Sequence, residues 1–155
     1  MDVAEPATCT VQTVATGVVD FDWSPNGQTL ALSTLKDISD WYPSAGKVEL
    51  QIWTHGDGLR SLGIDASHPI WSPDGSRIVA RYGEDVLRIV DVHDSLTTDL
   101  NVATIAYGPW SPSGRYLMLE ERNHGWQQLY MLDLETLQVS QLLQDSGLTV
   151  EAWAP

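Results

Sequence analysis

One five-residue pattern recurs along the chain and constrains its fold more than any other feature of the sequence. WSPNG occupies residues 23–27, WSPDG occupies residues 71–75 and WSPSG occupies residues 110–114. The chain ends in Trp153-Ala154-Pro155, which is the start of a fourth copy. Successive motif tryptophans are 48, 39 and 43 residues apart. A repeat of this length is typical of one four-stranded blade of a β-propeller.

The residues that follow each copy have the pattern of short β-strands. Partial alternation of apolar residues over short stretches indicates strands, and no segment keeps a helical period over a useful length. The sequence therefore predicts an all-β fold with three four-stranded antiparallel blades and flanking single strands, which together form an incomplete ring. Each copy is followed by two apolar stretches, at 30–32 and 50–53, at 78–80 and 87–90, and at 117–119 and 129–132.

The repeat divides the chain into five predicted segments. Three blades cover residues 18–62, 63–103 and 104–144, residues 1–17 contain the outer strand of a preceding blade, and residues 145–155 contain the inner strand of a fourth. A propeller closes a ring of about four to eight blades, so this set leaves the ring open. The chain is then either a piece of a longer propeller or one of two copies that close a ring together. The single strands predicted at both ends favour the first alternative, a piece of a longer propeller.

The residues of the motif suit a tight turn between the first two strands of a blade. Proline presets φ at the first turn position, Asp or Asn tolerates the second, and glycine takes the left-handed conformation. The tryptophan is large enough to fill the space between neighbouring twisted sheets. We therefore expect an architectural role for these residues: Trp23, Pro25, Gly27, Trp71, Pro73, Asp74, Gly75, Trp110, Pro112, Gly114 and Trp153.

A WSPDG motif followed by an apolar strand resembles the TolB-like propeller repeats, which are related to tryptophan-aspartate repeats. The resemblance extends from residue 18 to residue 155. Such repeats occur in TolB, a periplasmic protein that binds partners of the cell envelope, and in the propeller domains of prolyl oligopeptidases and tricorn-type proteases. The resemblance implies an extracytoplasmic location. Residues 1–10, however, have neither the basic start nor the apolar core of a secretory signal.

The charge balance bears on the partners of the chain. Eight Lys and Arg residues stand against 21 Asp and Glu residues, which gives a formal net charge of −13. Such a surface repels nucleic acids and anionic membranes, so the expected partner is a protein or peptide. No stretch reaches the ~18 apolar residues of a membrane helix. The charge also has a simpler explanation, because it keeps a tryptophan-rich fold soluble.

The sequence contains no recognisable catalytic or metal-binding pattern. There is no G-x-S-x-G nucleophile elbow and no glycine-rich phosphate loop. The four histidines, His55, His68, His93 and His124, lack the spacing of metal ligands. Cys9 is the one cysteine, so it cannot form a disulfide within the chain, and we expect it to be a small apolar residue. The sequence therefore predicts no enzyme activity, no metal and no cofactor.

One set of candidate binding residues lies on the first inner strand. Asp20 and Asp22 alternate with Phe21 and Trp23, and successive side chains of a strand point to opposite faces. Phe21 and Trp23 suit packing, so the two aspartates are expected to line the central channel. Glu151 occupies a similar place before the last tryptophan. These acids are candidates for binding a cation or a cationic peptide. Alternatively, they bind no ligand, because acidic side chains are tolerated on the wall of a solvent-filled channel.

A second set lies where loops are predicted to gather on one face. With strands lettered A to D outward from the axis, the B–C and D–A loops emerge on the same face of a propeller. Exposed aromatic side chains on a polar rim are typical of interaction hot spots. Alternatively, the long first B–C loop folds over its own blade. The candidate residues of this face are Trp41, Tyr42, His68, Tyr107, His124 and Trp126.

Two main functions follow from these observations. The chain is either a non-catalytic scaffold that binds a protein or peptide through the face of B–C and D–A loops, or an accessory propeller that gates substrate access to a prolyl-oligopeptidase-like hydrolase. In the second case the catalytic domain lies outside this chain. A third possibility is a half-propeller that assembles with a second copy.

Overall fold

The computed structural model describes residues 12–37, 47–102, 106–123 and 126–145. These residues form twelve strands and contain no helix, and therefore none that could cross a membrane. The strands make three separate four-stranded sheets, and within each sheet every strand pairs antiparallel with the next one along the chain. The prediction of an all-β fold with three antiparallel blades and an open ring is confirmed.

Each sheet contains four consecutive strands, and we call the sheets blade 1, blade 2 and blade 3. Blade 1 comprises β1 (Val18–Trp23), β2 (Thr29–Leu35), β3 (Val48–Thr54) and β4 (Gly58–Ile64). Blade 2 comprises β5 (Ser67–Trp71), β6 (Arg77–Tyr82), β7 (Val86–Asp91) and β8 (Thr97–Asn101). Blade 3 comprises β9 (Ala106–Trp110), β10 (Tyr116–Asn123), β11 (Trp126–Asp133) and β12 (Gln138–Asp145).

Each copy of the motif forms the turn between the first two strands of its blade. Gly27, Gly75 and Gly114 have φ values of 69°, 73° and 72°, in the left-handed region that a side chain opposes. The backbone N–H of Gly75 donates to the carbonyl oxygen of Ser72 at 2.9 Å, and the other two copies make the same bond. The glycines therefore have the conformation that the turn chemistry predicted.

The serine of the motif has a structural role that the sequence pattern did not indicate. The Ser72 hydroxyl donates to Asp74 Oδ1 at 2.6 Å, and its oxygen accepts the backbone N–H of Arg77 at 3.0 Å. Ser24 makes equivalent bonds in blade 1, to the Asn26 side chain and from the backbone N–H of Thr29. Because the serine hydroxyl is buried, these bonds satisfy polar atoms that water does not reach.

The hydrogen bonds to Asp74 in the blade 2 turn predict that the stability of the protein depends on pH. The bonds from Ser72 and from the backbone N–H of Ser76 hold the pKa of Asp74 below its ordinary value. A carboxyl group whose pKa is lower in the folded than in the unfolded state stabilises the fold above the unfolded pKa. That stabilisation is lost as the pH falls through the folded pKa. We therefore expect the stability advantage of the wild type over Asp74→Asn to shrink as the pH is lowered from about 7 to about 3.

Urea unfolding of both proteins at a series of pH values measures this difference. Asp57→Asn, in the exposed turn between β3 and β4, controls for the removal of one negative charge. A difference between wild type and Asp74→Asn that stays constant over the whole range would contradict the role assigned to the ionised carboxylate.

The blades pack face to face through two apolar layers. In β6, Ile78 and Ala80 point towards blade 1, whereas Val79 between them points towards blade 3, and all three are 0% exposed. This explains why the strand is a continuous apolar run: it is covered on both faces. The first layer comprises Ala31, Leu50, Ile52, Ile64, Ala66, Trp71, Ile78, Ala80 and Val90. The second layer comprises Val79, Leu87, Ile89, Leu117, Leu119, Leu132 and Leu134.

Candidate functional site in the inner-strand pocket

Three residues at the same position of the repeat meet at the inner strands. Asp20 in β1, His68 in β5 and Tyr107 in β9 each stand three residues before the motif tryptophan. They line one pocket of about 310 Å³. Its remaining walls are formed by Phe21 and Asp22 of β1, by Pro69 and Ile70 of β5, and by Arg81 of β6. We call this site the inner-strand pocket.

Irregular strand pairing places His68 in the pocket. The register of β5 against β6 shifts between Ser67 and Ile70, and His68 within that interval has a φ of 53°. A positive φ is uncommon for a residue other than glycine, and a bulge re-aims a side chain out of the regular alternation. The His68 side chain is 50% exposed, and its Nε2 lies 4.0 Å from Asp20 Oδ2.

Tyr107 connects blade 3 to this irregular segment of blade 2. Its hydroxyl donates to the carbonyl oxygen of His68 and lies 3.3 Å from that of Ser67. Burial raises the pKa of the Tyr107 hydroxyl, so this group keeps its proton and remains a donor at neutral pH. The backbone that carries His68 is therefore held from the neighbouring blade.

The two carboxylates of the pocket have different partners. Asp22 Oδ2 accepts the backbone N–H of Trp71 at 2.7 Å, and the Asp22 carbonyl oxygen accepts the indole N–H of Trp71 at 3.2 Å. Asp20 Oδ1 accepts the backbone N–H of Phe21 at 2.8 Å, and the Asp20 side chain is 43% exposed. Asp22 therefore joins blade 1 to blade 2, whereas the described hydrogen bond of Asp20 is to its own strand and leaves Oδ2 towards the pocket.

The structure changes the environment expected for the residues that alternate with these acids. Phe21 and Trp23, which were expected to pack against a neighbouring sheet, are 57% and 48% exposed in the described part of the chain. Trp23 has an edge-to-face contact with Trp53, at 6.4 Å between ring centroids. Leu30 in β2 pairs with Trp23 of β1 on one side and with Trp53 of β3 on the other. These three side chains lie on the opposite face of blade 1 from Asp22 and Ala31, which pair one position along. The face with the tryptophans is directed away from blade 2.

The two predicted sets of binding residues overlap in this pocket. His68 and Tyr107 were expected on D–A loops, but they lie within β5 and β9, and they share the pocket with the predicted channel residues Asp20 and Asp22. Trp126 is the first residue of β11, and its side chain is outside the described part. The other predicted residues that lie outside the described ranges are Trp41, Tyr42, His124, Glu151, Trp153 and Cys9.

Arg81 is a pocket residue that the sequence pattern did not reveal. It pairs with Ser67 across the β5–β6 ladder, so only the strand register brings it to the inner strands. In contrast, the sequence alone relates Asp20, His68 and Tyr107, because each stands three residues before a motif tryptophan. Within the described ranges, no three His, Cys, Asp or Glu side chains lie together as a metal site would require.

Comparison with known proteins identifies the architecture. No family model matches the sequence. The structure is similar to TolB from Acinetobacter baumannii, with a TM-score of 0.65 and 15% sequence identity, over 88% of this chain and 36% of that one. The fold is a TolB-like β-propeller. This result confirms the resemblance inferred from the repeated motif.

Two peptidases are also similar to this TolB-like propeller. The acylaminoacyl peptidase of Pyrococcus horikoshii has a TM-score of 0.59 and 18% identity, over 81% of this chain and 24% of that one. Dipeptidyl-peptidase 5 of Porphyromonas gingivalis is 28% identical over 148 residues, which cover 83% of this chain and 21% of that protein. The chain thus spans about a fifth of the dipeptidyl-peptidase and about a third of TolB. One propeller fold serves many functions, so the fold alone does not assign a function to this chain.

Proposed function

We propose that this TolB-like propeller is a non-catalytic module that binds a protein or peptide through the inner-strand pocket. The observation that carries the proposal is the convergence of Asp20, His68 and Tyr107 on one pocket. The motif residues that build the turns recur from blade to blade, whereas this position holds three chemically different polar side chains. A repeated scaffold that carries varied polar groups at one place is the arrangement expected of a recognition site.

The size and the walls of the pocket indicate how much of a partner it takes. A volume of about 310 Å³ is at the lower end of the range for small-ligand pockets, roughly 300–1,000 Å³. We therefore expect the pocket to receive a single side chain with its flanking backbone, while the rest of the partner lies across the surrounding surface. The identity of the partner and the extracytoplasmic location remain predictions.

Peptides selected on the wild-type chain test this proposal. A phage-displayed peptide library is selected on the immobilised protein, and the dissociation constants of the selected peptides are measured by fluorescence polarisation. We expect His68→Ala to weaken binding about tenfold, because removal of one hydrogen-bonding side chain from a binding site costs on the order of 1–1.5 kcal/mol. His93→Ala removes a histidine from the exposed turn after β7 and is expected to bind as the wild type does. Peptides that bind all three proteins equally would place the site elsewhere.

The similarity to peptidases supports a second candidate, a propeller that gates substrate access to a hydrolase domain. Dipeptidyl-peptidase 5 and the acylaminoacyl peptidase are both several times longer than the matched part. In this role the pocket contacts the substrate chain, and the nucleophile belongs to another part of the protein. The genomic sequence on both sides of this segment distinguishes the two candidates. An adjoining hydrolase domain with a nucleophile elbow supports gating, and further blades alone support binding.

A further inference from the structure

The inner-strand pocket has an excess of negative charge, and the Asp20 side chain that lines it is 43% exposed. Asp20 and Asp22 stand against Arg81 among its walls. Asp22 Oδ2 accepts the backbone N–H of Trp71, so this oxygen already has a partner in blade 2. Asp20 Oδ2 is 4.0 Å from the nearest nitrogen of His68, which is longer than a hydrogen bond. Asp20 therefore presents a carboxylate oxygen at which a cationic group can bind.

The other walls of the pocket are apolar. Phe21, Pro69 and Ile70 line it beside the carboxylate, and Phe21 is 57% exposed. A lysine or arginine side chain combines a hydrocarbon stem with a charged head, and it buries the stem while the head meets a polar group. A metal ion or a small inorganic cation would leave these apolar walls unused. The combination of apolar walls and one carboxylate therefore fits a basic side chain.

We infer that the pocket binds a lysine or arginine side chain of an extended peptide, with its charged nitrogen at Asp20 Oδ2 and its stem against Phe21, Pro69 and Ile70. This inference rests on the proposed function and specifies its ligand. The formal net charge of −13 also favours the approach of a basic segment over an acidic one.

Nuclear magnetic resonance titration tests the inference with defined probes. The probe is a terminally blocked heptapeptide, GSGKGSG, and the matched peptides replace its lysine by arginine, norleucine or glutamate. Shifts of the backbone amide resonances of β1, β5 and β9 report binding at the pocket. We expect the lysine and arginine peptides to bind at least about tenfold more tightly than the norleucine peptide, with an advantage that falls as salt is added. Asp20→Asn should lower the affinity for lysine to the norleucine level, and Asp57→Asn should not.

Three other outcomes of the titration would contradict the inference, each in a different way. If norleucine binds the pocket as tightly as lysine and His68→Ala weakens both, the pocket recognises peptides, but the inferred preference for a basic side chain is wrong. If lysine binds best but Asp20→Asn has no effect, the charge is recognised elsewhere, and the inference is again wrong. If no peptide of this set shifts the inner-strand resonances at millimolar concentration, the inference fails, whereas the proposed function is decided by the peptides selected from the library.

Discussion

Trp71→Ala is expected to lower the free energy of unfolding by about 3–5 kcal/mol. Trp71 is 7% exposed and packs in the apolar layer between blades 1 and 2. Truncation removes a large side chain from a dense layer and leaves a cavity. It also leaves the Asp22 carbonyl oxygen without the indole N–H that it accepts at 3.2 Å. Both losses fall on the same interface, so blades 1 and 2 should separate at lower denaturant concentration.

Trp23→Ala is the matched control, because Trp23 holds the same motif position in blade 1 but is 48% exposed. We expect this substitution to cost about 1 kcal/mol or less, as is usual for residues that are not deeply buried. Urea unfolding followed by far-ultraviolet circular dichroism measures both values. Equal losses for the two variants would show that the motif tryptophan acts within its own blade rather than between blades.

The fold was readable from the sequence because its signals are local. A tight turn with glycine in the left-handed conformation depends on a few consecutive residues, and so does the strand on each side of it. Repetition of the same local signals along the chain then indicated radially arranged blades. The environments of the tryptophans were not readable in the same way. Trp71 is buried, Trp23 is exposed, and Trp110 has a buried indole nitrogen with no hydrogen-bond partner among the described residues.

The candidate site was only partly predictable, because contacts between blades assemble it. The sequence indicated Asp20 as a channel residue, and it placed His68 and Tyr107 on a face of loops. The bond from the Tyr107 hydroxyl to the His68 carbonyl spans 39 residues, and no local pattern reports it. The irregular pairing in β5 also breaks the strict alternation from which side-chain directions are inferred. Site geometry therefore required the structure, although the sequence pattern indicated most of the polar residues of the pocket.

Leu117→Ala is expected to destabilise the protein by about 2–5 kcal/mol through the second layer, between blades 2 and 3. Leu117 in β10 is 0% exposed and belongs to the same cluster as Val79, Leu87 and Leu132. The loss should extend to the binding site, since blade 3 supplies Tyr107 and this side chain holds the backbone of His68. Urea unfolding measures the stability, and the amide resonance of His68 reports whether the segment is still held.

Leu142→Ala provides the control, because Leu142 lies in β12 of the same blade and is 44% exposed. We expect it to cost about 1 kcal/mol or less and to leave the His68 resonance in place. If Leu117→Ala retained wild-type stability, blades 2 and 3 would not be joined by a packed layer. If it lost stability but kept the His68 resonance unchanged in the folded state, the layer would support the fold while Tyr107 held the pocket independently of it. The two measurements therefore separate the role of blade 3 in stability from its role in shaping the pocket.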